Sequence, residues 1–175
     1  MNSSLLRRVT QDEHESFDLD NTNSEEIARN VTVTFHGYKQ FKSVHKSAHL
    51  SFETIYQSLH PRFNREMIFK SGESAGRSGS FFFFSHDDRF IVKTMSTGEL
   101  KLFLDKLLPT YCDHIKEPSL LAKILGVFTV KSVQIKAIHL MLMENTLRID
   151  RSFFSEKPLI FDLKGSTVDR KAGTD

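Results

Sequence analysis

Residues 81–95 constrain the fold of this chain more than any other stretch. Two runs of apolar and β-branched residues, FFFFS at 81–85 and RFIVKTM at 89–95, flank the residues His-Asp-Asp. Strand-forming runs separated by a few turn-forming residues are typical of an antiparallel hairpin. The sequence therefore predicts two paired strands here, and the fold must contain the sheet to which they belong.

A long amphipathic helix is predicted directly after this hairpin. Its apolar residues recur at i, i+3, i+4, i+7 and i+8 and share one helical face: Leu100, Phe103, Leu104, Leu107 and Leu108. Ser96 and Glu99 have the spacing of a capping box at its start, and Glu99 could alternatively pair with Lys93. Pro109 is expected to end it, because proline disrupts a helix interior.

Shorter patterns complete the predicted fold. The runs VTVTF (31–35), KILGVFTV (123–130), IKAIHLMLM (135–143) and LIFDL (159–163) are expected to be strands, and residues 38–60 to be helical up to Pro61. Strands on both sides of one long helix favour an α+β domain: an antiparallel sheet with a helix packed on one face.

Lys93 is an unusual residue for the second strand of the hairpin. Strand alternation places it on one face with Ile91 and Met95, so its ammonium group lies among apolar neighbours. Such a charge is costly to desolvate unless an anion meets it. The alternative is an edge strand whose lysine packs its stem and reaches water with its head. These residues alone leave both interpretations open.

Two glycine-containing segments are candidates for holding that anion. The loop SGESAGRSGS (71–80) precedes the hairpin, and glycines let backbone N–H groups approach a phosphate closely. The segment FDLKGSTVDR (161–170) combines a lysine, a glycine, two hydroxyls and an arginine. Neither fits a common nucleotide-binding pattern, and ordinary turns with solvated charges are the alternative for both.

Charge is distributed unevenly along the chain. Residues 1–26 carry two arginines and seven acidic residues, a net charge of −5, so residues 27–175 carry +7 of the overall +2. The Ser- and Asn-rich acidic head is predicted to be a disordered tail, and residues 27–175 a basic folded body. A basic body favours an anionic partner such as a nucleotide, a lipid headgroup or a nucleic acid.

The remaining composition excludes several protein classes. Cys112 is the only cysteine, which excludes an internal disulfide and a cysteine-based zinc cluster. No apolar run approaches the ~20 residues of a membrane-spanning helix, and no secretory signal is visible at the start. The eight histidines show no metal-binding spacing. A reducing cytosolic compartment is expected.

Taken together, GRSGSFFFFSHDDRFIVKTM and FDLKGSTVDR resemble the phosphatidylinositol phosphate kinase family. AKILGVFTV and LMLMENTL are similar to its intervening strands. The resemblance begins near Phe35 and extends to the last residue, and it is strongest at 76–95 and 160–170. It implies the N-terminal lobe of an atypical lipid kinase, which uses ATP and Mg²⁺.

The resemblance also implies roles for individual residues. Lys93, Asp162 and Lys164 would be catalytic, and Lys164 and Arg170 would hold the phosphate of the substrate. ATP would be bound by the glycine–serine loop, the strand lysine and the adenine-binding segment LMEN (142–145): Gly76, Ser78, Gly79, Ser80, Lys93, Met143 and Asn145. No residue is assigned to a metal.

The implied function is transfer of the ATP γ-phosphate to an inositol ring hydroxyl, with phosphatidylinositol 4-phosphate 5-kinase as the expected subtype. FDLKGSTVDRKA resembles both the 4-phosphate 5-kinases and the 5-phosphate 4-kinases, and AKILGV and MEN are more similar to the 3-phosphate 5-kinases. The partner would be a phosphoinositide in an anionic membrane, with the protein peripheral at the plasma membrane or endomembranes. Segments resembling the family's second lobe, with its metal-binding carboxylates, do not occur. We therefore expect a partial kinase domain that is inactive alone. The alternatives are a non-catalytic lipid- or partner-binding remnant and, third, a nucleic-acid-binding module. The third is disfavoured because the aromatic residues lie in runs typical of buried strands.

Overall fold

The computed structural model describes residues 22–28, 30–65 and 80–149, together with 152 and 159, and within them six strands form one antiparallel sheet. The strands are β1 (Thr22–Ala28), β2 (Val31–His36), β3 (Phe82–Phe84), β4 (Phe90–Met95), β5 (Ile124–Ser132) and β6 (Ile138–Glu144). Their order across the sheet is β1-β2-β5-β6-β4-β3, so β5 and β6 are central. The helices are α1 (Tyr38–Ser47), α2 (Phe52–Leu59), α3 (Thr97–Leu102) and α4 (Leu108–His114), with a π-helical turn at Phe103–Leu107. The predicted α+β class is confirmed.

The predicted hairpin is present as β3 and β4. Phe82 pairs with Lys93 across it, and Asp88 has a left-handed φ of 56° in its turn. The Ser85 hydroxyl donates to Asp87 Oδ1 at 2.8 Å and accepts the Phe90 N–H at 2.9 Å. The strands predicted at 31–35, 123–130 and 135–143 are also present, as β2, β5 and β6. The strand predicted at 159–163 lies outside the described residues, apart from 159 itself.

Strand β1 corrects part of the predicted acidic tail, because residues 22–26 belong to it. It pairs antiparallel with β2, and the Ser24 hydroxyl donates to Thr34 Oγ1 at 2.8 Å. Asn30, with a φ of 66°, begins the return, and its N–H donates to Glu26 Oε1 at 2.8 Å. A strand at the edge of a sheet needs no continuous apolar face, so its acidic composition did not reveal it. Residues 1–21 lie outside the described part.

Residues 38–60 form two helices instead of one. The chain turns after α1 through His49, whose φ is 50°, and Ser51 then caps α2 by accepting the Thr54 N–H at 3.1 Å. Helix α2 ends at Leu59, as expected from the proline, but residues 61–65 are helical again. Proline is tolerated at the first position of a helix, so Pro61 also starts this next segment.

The long helix starts where predicted but does not stop at Pro109. Ser96 and Glu99 form both bonds of the capping box. The π-helical turn at Phe103–Leu107 then widens the helix just before the proline, and α4 continues to His114. Because Pro109 lies at the start of α4, its missing N–H costs little there. Leu107, predicted on the buried face, is exposed as a result.

Three side chains with no exposed surface mark the centre of the core: Phe41, Val44 and Val127. The Phe41 ring stacks at 6.0 Å from that of Phe35 and at 6.4 Å from that of Phe103, so α1, β2 and the long helix meet there. Such aromatic pairs add to the stabilisation from area burial. Within the described ranges, no helix combines the length and apolar composition needed to cross a bilayer.

Candidate functional site

Lys93 lies on one face of the sheet, which we call the lysine face. In register across the sheet it is opposite Phe82 of β3 and Met141 of β6, and Met141 is opposite Val127 of β5. The Lys93 side chain is 26% exposed, and its Nζ lies 5.8 Å from the centre of the Phe82 ring. The ammonium group is therefore held at the apolar face by its stem and an aromatic ring, with its head still accessible to an anion.

Glu99 on helix α3 faces Lys93 and also caps the helix. One carboxylate oxygen, Oε2, accepts the Ser96 N–H at 2.7 Å, and the other, Oε1, lies 3.7 Å from Lys93 Nζ. The hydrogen bond from the Ser96 backbone is the main cause of a lowered Glu99 pKa, and the Lys93 charge adds to it. The sequence allowed Glu99 to be either a cap or a partner of Lys93. The structure shows that it is both.

This partly exposed ion pair contributes little stability by itself. Its value is geometric, because the capping box fixes Glu99 and Glu99 then fixes the direction of the Lys93 side chain. A lysine on a strand paired with a glutamate on the following helix is the arrangement with which protein kinases position ATP phosphates.

The glycine–serine loop enters β3 next to Lys93. Ser80 is buried, and the following residue, Phe81, donates its N–H to Thr94 Oγ1 at 2.8 Å while its carbonyl oxygen accepts the Thr94 N–H at 3.0 Å. The end of the loop is thus attached to the strand that carries the lysine. Gly76, Ser78 and Gly79 lie outside the described residues, so their role as a phosphate-covering loop stays a prediction.

Met143 and Asn145 lie at the end of β6, where the adenine-binding segment was predicted. Met143 pairs with Ile91 on one side and Ile124 on the other. The Asn145 side chain donates to the Asp88 carbonyl at 2.8 Å and accepts the Leu147 N–H at 3.1 Å.

The backbone of Asn145 is also engaged. Its N–H donates to the Arg89 carbonyl at 2.9 Å, and its carbonyl oxygen accepts the Arg148 N–H at 3.2 Å. Asn145 is buried and ties the β3–β4 turn to the chain leaving β6. This structural use was not foreseen, and of the backbone groups of Asn145 only the second lone pair of the carbonyl remains for the predicted contact with adenine.

Asp162 and Lys164, which were predicted to be catalytic, and Arg170, which was predicted to hold the phosphate of the substrate, lie outside the described residues. Mg²⁺ prefers carboxylate and water oxygens, and the sequence assigned no residue of this chain to it. Within the described ranges no group of three histidine, cysteine or acidic side chains is arranged to hold a metal. The burial of Cys112 raises the pKa of its thiol to about 11. A thiol with so high a pKa is typical of a packed structural cysteine and not of a catalytic nucleophile.

A chain of hydrogen bonds on the lysine face was missed by the sequence reasoning. His36 Nε2 lies 2.7 Å from Thr129 Oγ1, which lies 2.9 Å from His139 Nδ1. His139 Nε2 in turn lies 3.2 Å from the hydroxyl of Thr97, the residue after the helix cap. This chain connects β2, β5 and β6 to the start of α3. No local sequence pattern predicts this chain of hydrogen bonds, because its four residues are spread over about a hundred positions. They come together through the pairing of the strands in the sheet.

Two cavities lie beside the β3–β4 turn. One of about 170 Å³ is bordered by Leu50, Phe90 and Asn145, and one of about 320 Å³ by Ser58, His86 and Asp87. Lys93 lines neither. The candidate nucleotide site is therefore the lysine face at Lys93, because its ammonium group carries the positive charge that a phosphate requires.

Comparison with known proteins identifies the class that this geometry indicates. A family model described as Phosphatidylinositol-4-phosphate 5-Kinase matches residues 63–175, more than half of the chain. The class is therefore that of the phosphatidylinositol phosphate kinases. The chain belongs to the phosphatidylinositol-4-phosphate 5-kinase family.

Individual relatives agree with this assignment. Phosphatidylinositol 4-phosphate 5-kinase 8 of Arabidopsis thaliana is 40% identical over 103 residues, 55% of this chain and 12% of that protein. A phosphatidylinositol 4-phosphate 5-kinase of Schizosaccharomyces pombe is 35% identical over 133 residues, covering 75% of this chain and 17% of that protein. The human 1-phosphatidylinositol 3-phosphate 5-kinase is 38% identical over 141 residues, 73% of this chain and 6% of that protein. The chain thus spans less than a fifth of the length of each.

Proposed function

We propose that this chain provides the ATP-binding lobe of a phosphatidylinositol phosphate kinase, which transfers the γ-phosphate of ATP to an inositol ring hydroxyl. The observation that carries the proposal is the Lys93–Glu99 pair, 3.7 Å apart on the lysine face, with the glycine–serine loop attached to the adjoining strand. Family membership adds that this pair belongs to a lipid kinase and not to a protein kinase.

The chemistry follows from the position of the charge. The transferred phosphoryl group carries negative charge on its equatorial oxygens, and catalysis consists largely of positioning and neutralising it. Lys93, held in direction by Glu99, neutralises phosphate oxygens from the side of the sheet. Mg²⁺ would supply further positive charge when bound, and Asp162 would help to orient the transferring phosphoryl group, as the DLKGS motif implies. Lys164 and Arg170 would hold the phosphate already present on the lipid.

We propose phosphatidylinositol 4-phosphate as the substrate and its 5-hydroxyl as the acceptor, at a cytoplasmic membrane surface. Relatives named as 4-phosphate 5-kinases support this choice, while a relative named as a 3-phosphate 5-kinase makes the 3-phosphate the competing substrate. An assay of the complete kinase with radiolabelled ATP and vesicles that each contain one phosphatidylinositol monophosphate separates the two. Label on phosphatidylinositol 3-phosphate alone would overturn the choice of substrate without affecting the nucleotide site.

The nucleotide site is tested by calorimetric titration of the chain with Mg-ATP. Charge-assisted hydrogen bonds contribute about 1.5–3 kcal/mol, so Lys93→Met should weaken binding about tenfold or more. Lys116→Met is the matched control, because Lys116 also pairs with a carboxylate, that of Asp113 at 2.8 Å, but away from the lysine face. Equal ATP affinity in wild type and Lys93→Met would remove Lys93 from the site. ATP binding without lipid phosphorylation by this chain would fit both a partial kinase domain, which is expected to be inactive alone, and a non-catalytic module.

A further inference from the structure

The connection between the two central strands presents apolar side chains to solvent. The last pair between β5 and β6 is Val130 with Ile138. Residues 133–138, which connect the two strands and include the first residue of β6, are all exposed. Val133 is 83% exposed, Ile135 50% and Ile138 39%. We call residues 131–138 the hairpin tip.

Two lysines flank these apolar residues. Lys131 and Lys136 are exposed, and within the described part of the chain neither forms an ion pair. The sequence from 118 to 143 contains lysines but no acidic residue. Across the sheet, Lys131 of β5 is opposite Thr32 of β2, and Thr32 is opposite Glu26 of β1. The Glu26 carboxylate is therefore two strands away from Lys131, and it accepts the Asn30 N–H at 2.8 Å. The tip therefore combines an apolar end with unneutralised positive charge.

A second exposed apolar pair lacks this property. Leu120 and Leu121, 97% and 55% exposed, precede β5 at the opposite end of that strand. The lysines on either side of them are paired: Lys116 with Asp113 at 2.8 Å and Lys123 with Glu144 at 3.7 Å. Both regions therefore expose apolar side chains. Of the two, the hairpin tip is the one whose neighbouring lysines form no ion pair within the described residues.

We propose that the hairpin tip inserts Val133 and Ile135 into the surface of an anionic lipid bilayer, with Lys131 and Lys136 at the level of the lipid phosphates. Burial of the apolar side chains supplies sequence-independent affinity, and the lysines keep their heads at the charged interface while their stems enter it. Each lysine near an anionic surface strengthens binding further. This anchor is separate from the nucleotide site and does not depend on the proposed kinase reaction.

The absence of tryptophan from the sequence permits a direct test of insertion. Val133→Trp places a single fluorophore at the tip, and Leu120→Trp is the matched control at the other end of β5. On vesicles of phosphatidylcholine with phosphatidylserine, the emission of Val133→Trp should shift to shorter wavelength and that of Leu120→Trp should not. A shift in Leu120→Trp alone would overturn the proposal. A shift of Val133→Trp that grows with protein concentration in the absence of lipid would assign the tip to protein contact instead.

Co-sedimentation of the tryptophan-free chain with the same vesicles measures the affinity. The double variant Val133→Ser/Ile135→Ser should bind about tenfold more weakly or worse, and Lys131→Gln and Lys136→Gln about fivefold more weakly each. Leu120→Ser/Leu121→Ser is the control and should bind like wild type. All these side chains are exposed, so far-ultraviolet circular dichroism should be unchanged. Wild-type binding by the Val133→Ser/Ile135→Ser variant would refute insertion.

Discussion

The hydroxyl of Thr129 is shared by two imidazole rings, and this sharing couples the donor and acceptor roles of their ring nitrogens. Thr129 is buried, at 2.7 Å from His36 Nε2 and 2.9 Å from His139 Nδ1. A hydroxyl has one proton to donate, so one ring nitrogen must donate to it and the other must accept from it. Neutral rings satisfy this in either direction. If both bonded nitrogens carry protons, the Thr129 proton loses its acceptor.

We predict that Thr129→Val destabilises the fold by about 1–3 kcal/mol, because it leaves two ring nitrogens without their partner. Thr129→Ser keeps the hydroxyl and removes only a methyl group, so it should cost about 1 kcal/mol. Urea unfolding of the three proteins measures the difference. If the serine variant were as unstable as the valine variant, packing and not the hydrogen-bond chain would explain the role of this residue.

The fold should also lose stability at acidic pH through two histidines. Burial, with smaller contributions from His139 and Lys131, lowers the pKa of His36. Burial lowers the pKa of His45 as well, although its hydrogen bond to the Leu125 carbonyl partly opposes this. The folded state therefore favours neutral rings. As pH falls through about 6.5, the unfolded chain takes up protons first, and the free energy of unfolding decreases.

Unfolding measured from pH 8 to pH 5 checks this sign. The double variant His36→Gln/His45→Gln keeps side-chain N–H donors that do not titrate. It should start less stable than wild type at high pH, and the difference should narrow as pH falls. A difference that stays constant over this range would show that neither ring contributes to the pH dependence.

At the scale of single elements, two glycines make a matched pair for a packing test. A methyl group added at Gly126 of β5 would lie 2.7 Å from Phe128 Cζ and 3.3 Å from Phe35 Cε2. One added at Gly98 of α3 would meet only Ser96 Oγ, at 3.9 Å. Gly126→Ala should therefore destabilise by about 1–3 kcal/mol, and Gly98→Ala should stabilise by about 1 kcal/mol as the better helix former. Thermal unfolding measures whether each variant is more or less stable than wild type. A Gly126→Ala variant that is more stable than wild type would contradict the close packing at Gly126.

The elements that the sequence predicted well are those with strong local signals. The β3–β4 hairpin and the capping box at Ser96 each depend on residues a few positions apart. The course of the helix past Pro109 was predicted wrongly, because the π-helical turn that admits the proline depends on burial of Phe103 and Leu108 against other elements. Strand β1 was missed because an exposed edge strand is held by backbone pairing, which leaves little trace in side-chain pattern.

At the scale of the whole molecule, the candidate site depends on contacts between residues that are far apart in the sequence. Local sequence patterns cannot predict such contacts. The position of Lys93 in a strand was predictable from the sequence. The sequence left two roles open for Glu99, a helix cap and a partner of Lys93, and the structure shows both. The contact of His139 with Thr97, and the use of Asn145 to tie the β3–β4 turn to the end of β6, depend on the pairing of β4 with β6. Such long-range register follows from the complete fold and not from local composition.

The uneven charge along the chain gives a prediction about membrane adsorption. Residues 1–21 carry two arginines and five acidic residues, a net charge of −3, so their removal leaves a body of +5. Deleting residues 1–21 should strengthen adsorption to anionic vesicles, and added salt should reduce the gain. Deletion of residues 1–28 removes β1 as well and bares the edge of β2, so that variant should aggregate. Co-sedimentation and light scattering distinguish the outcomes; unchanged adsorption after deletion of 1–21 would contradict the electrostatic account.

The π-helical turn has a consequence for how the length of this chain can vary among its relatives. Buried Phe103 and Leu108 are five positions apart, one more than an ordinary helical repeat needs, and the wider turn absorbs the surplus. The turn is thus an insertion accommodated without rotating helix α4 about its axis. A relative that lacks one residue between these positions, and also lacks the proline, should show an uninterrupted α-helix with the same side chains inward. Alignments should therefore tolerate a single-residue gap at this point and at no other point within the helix.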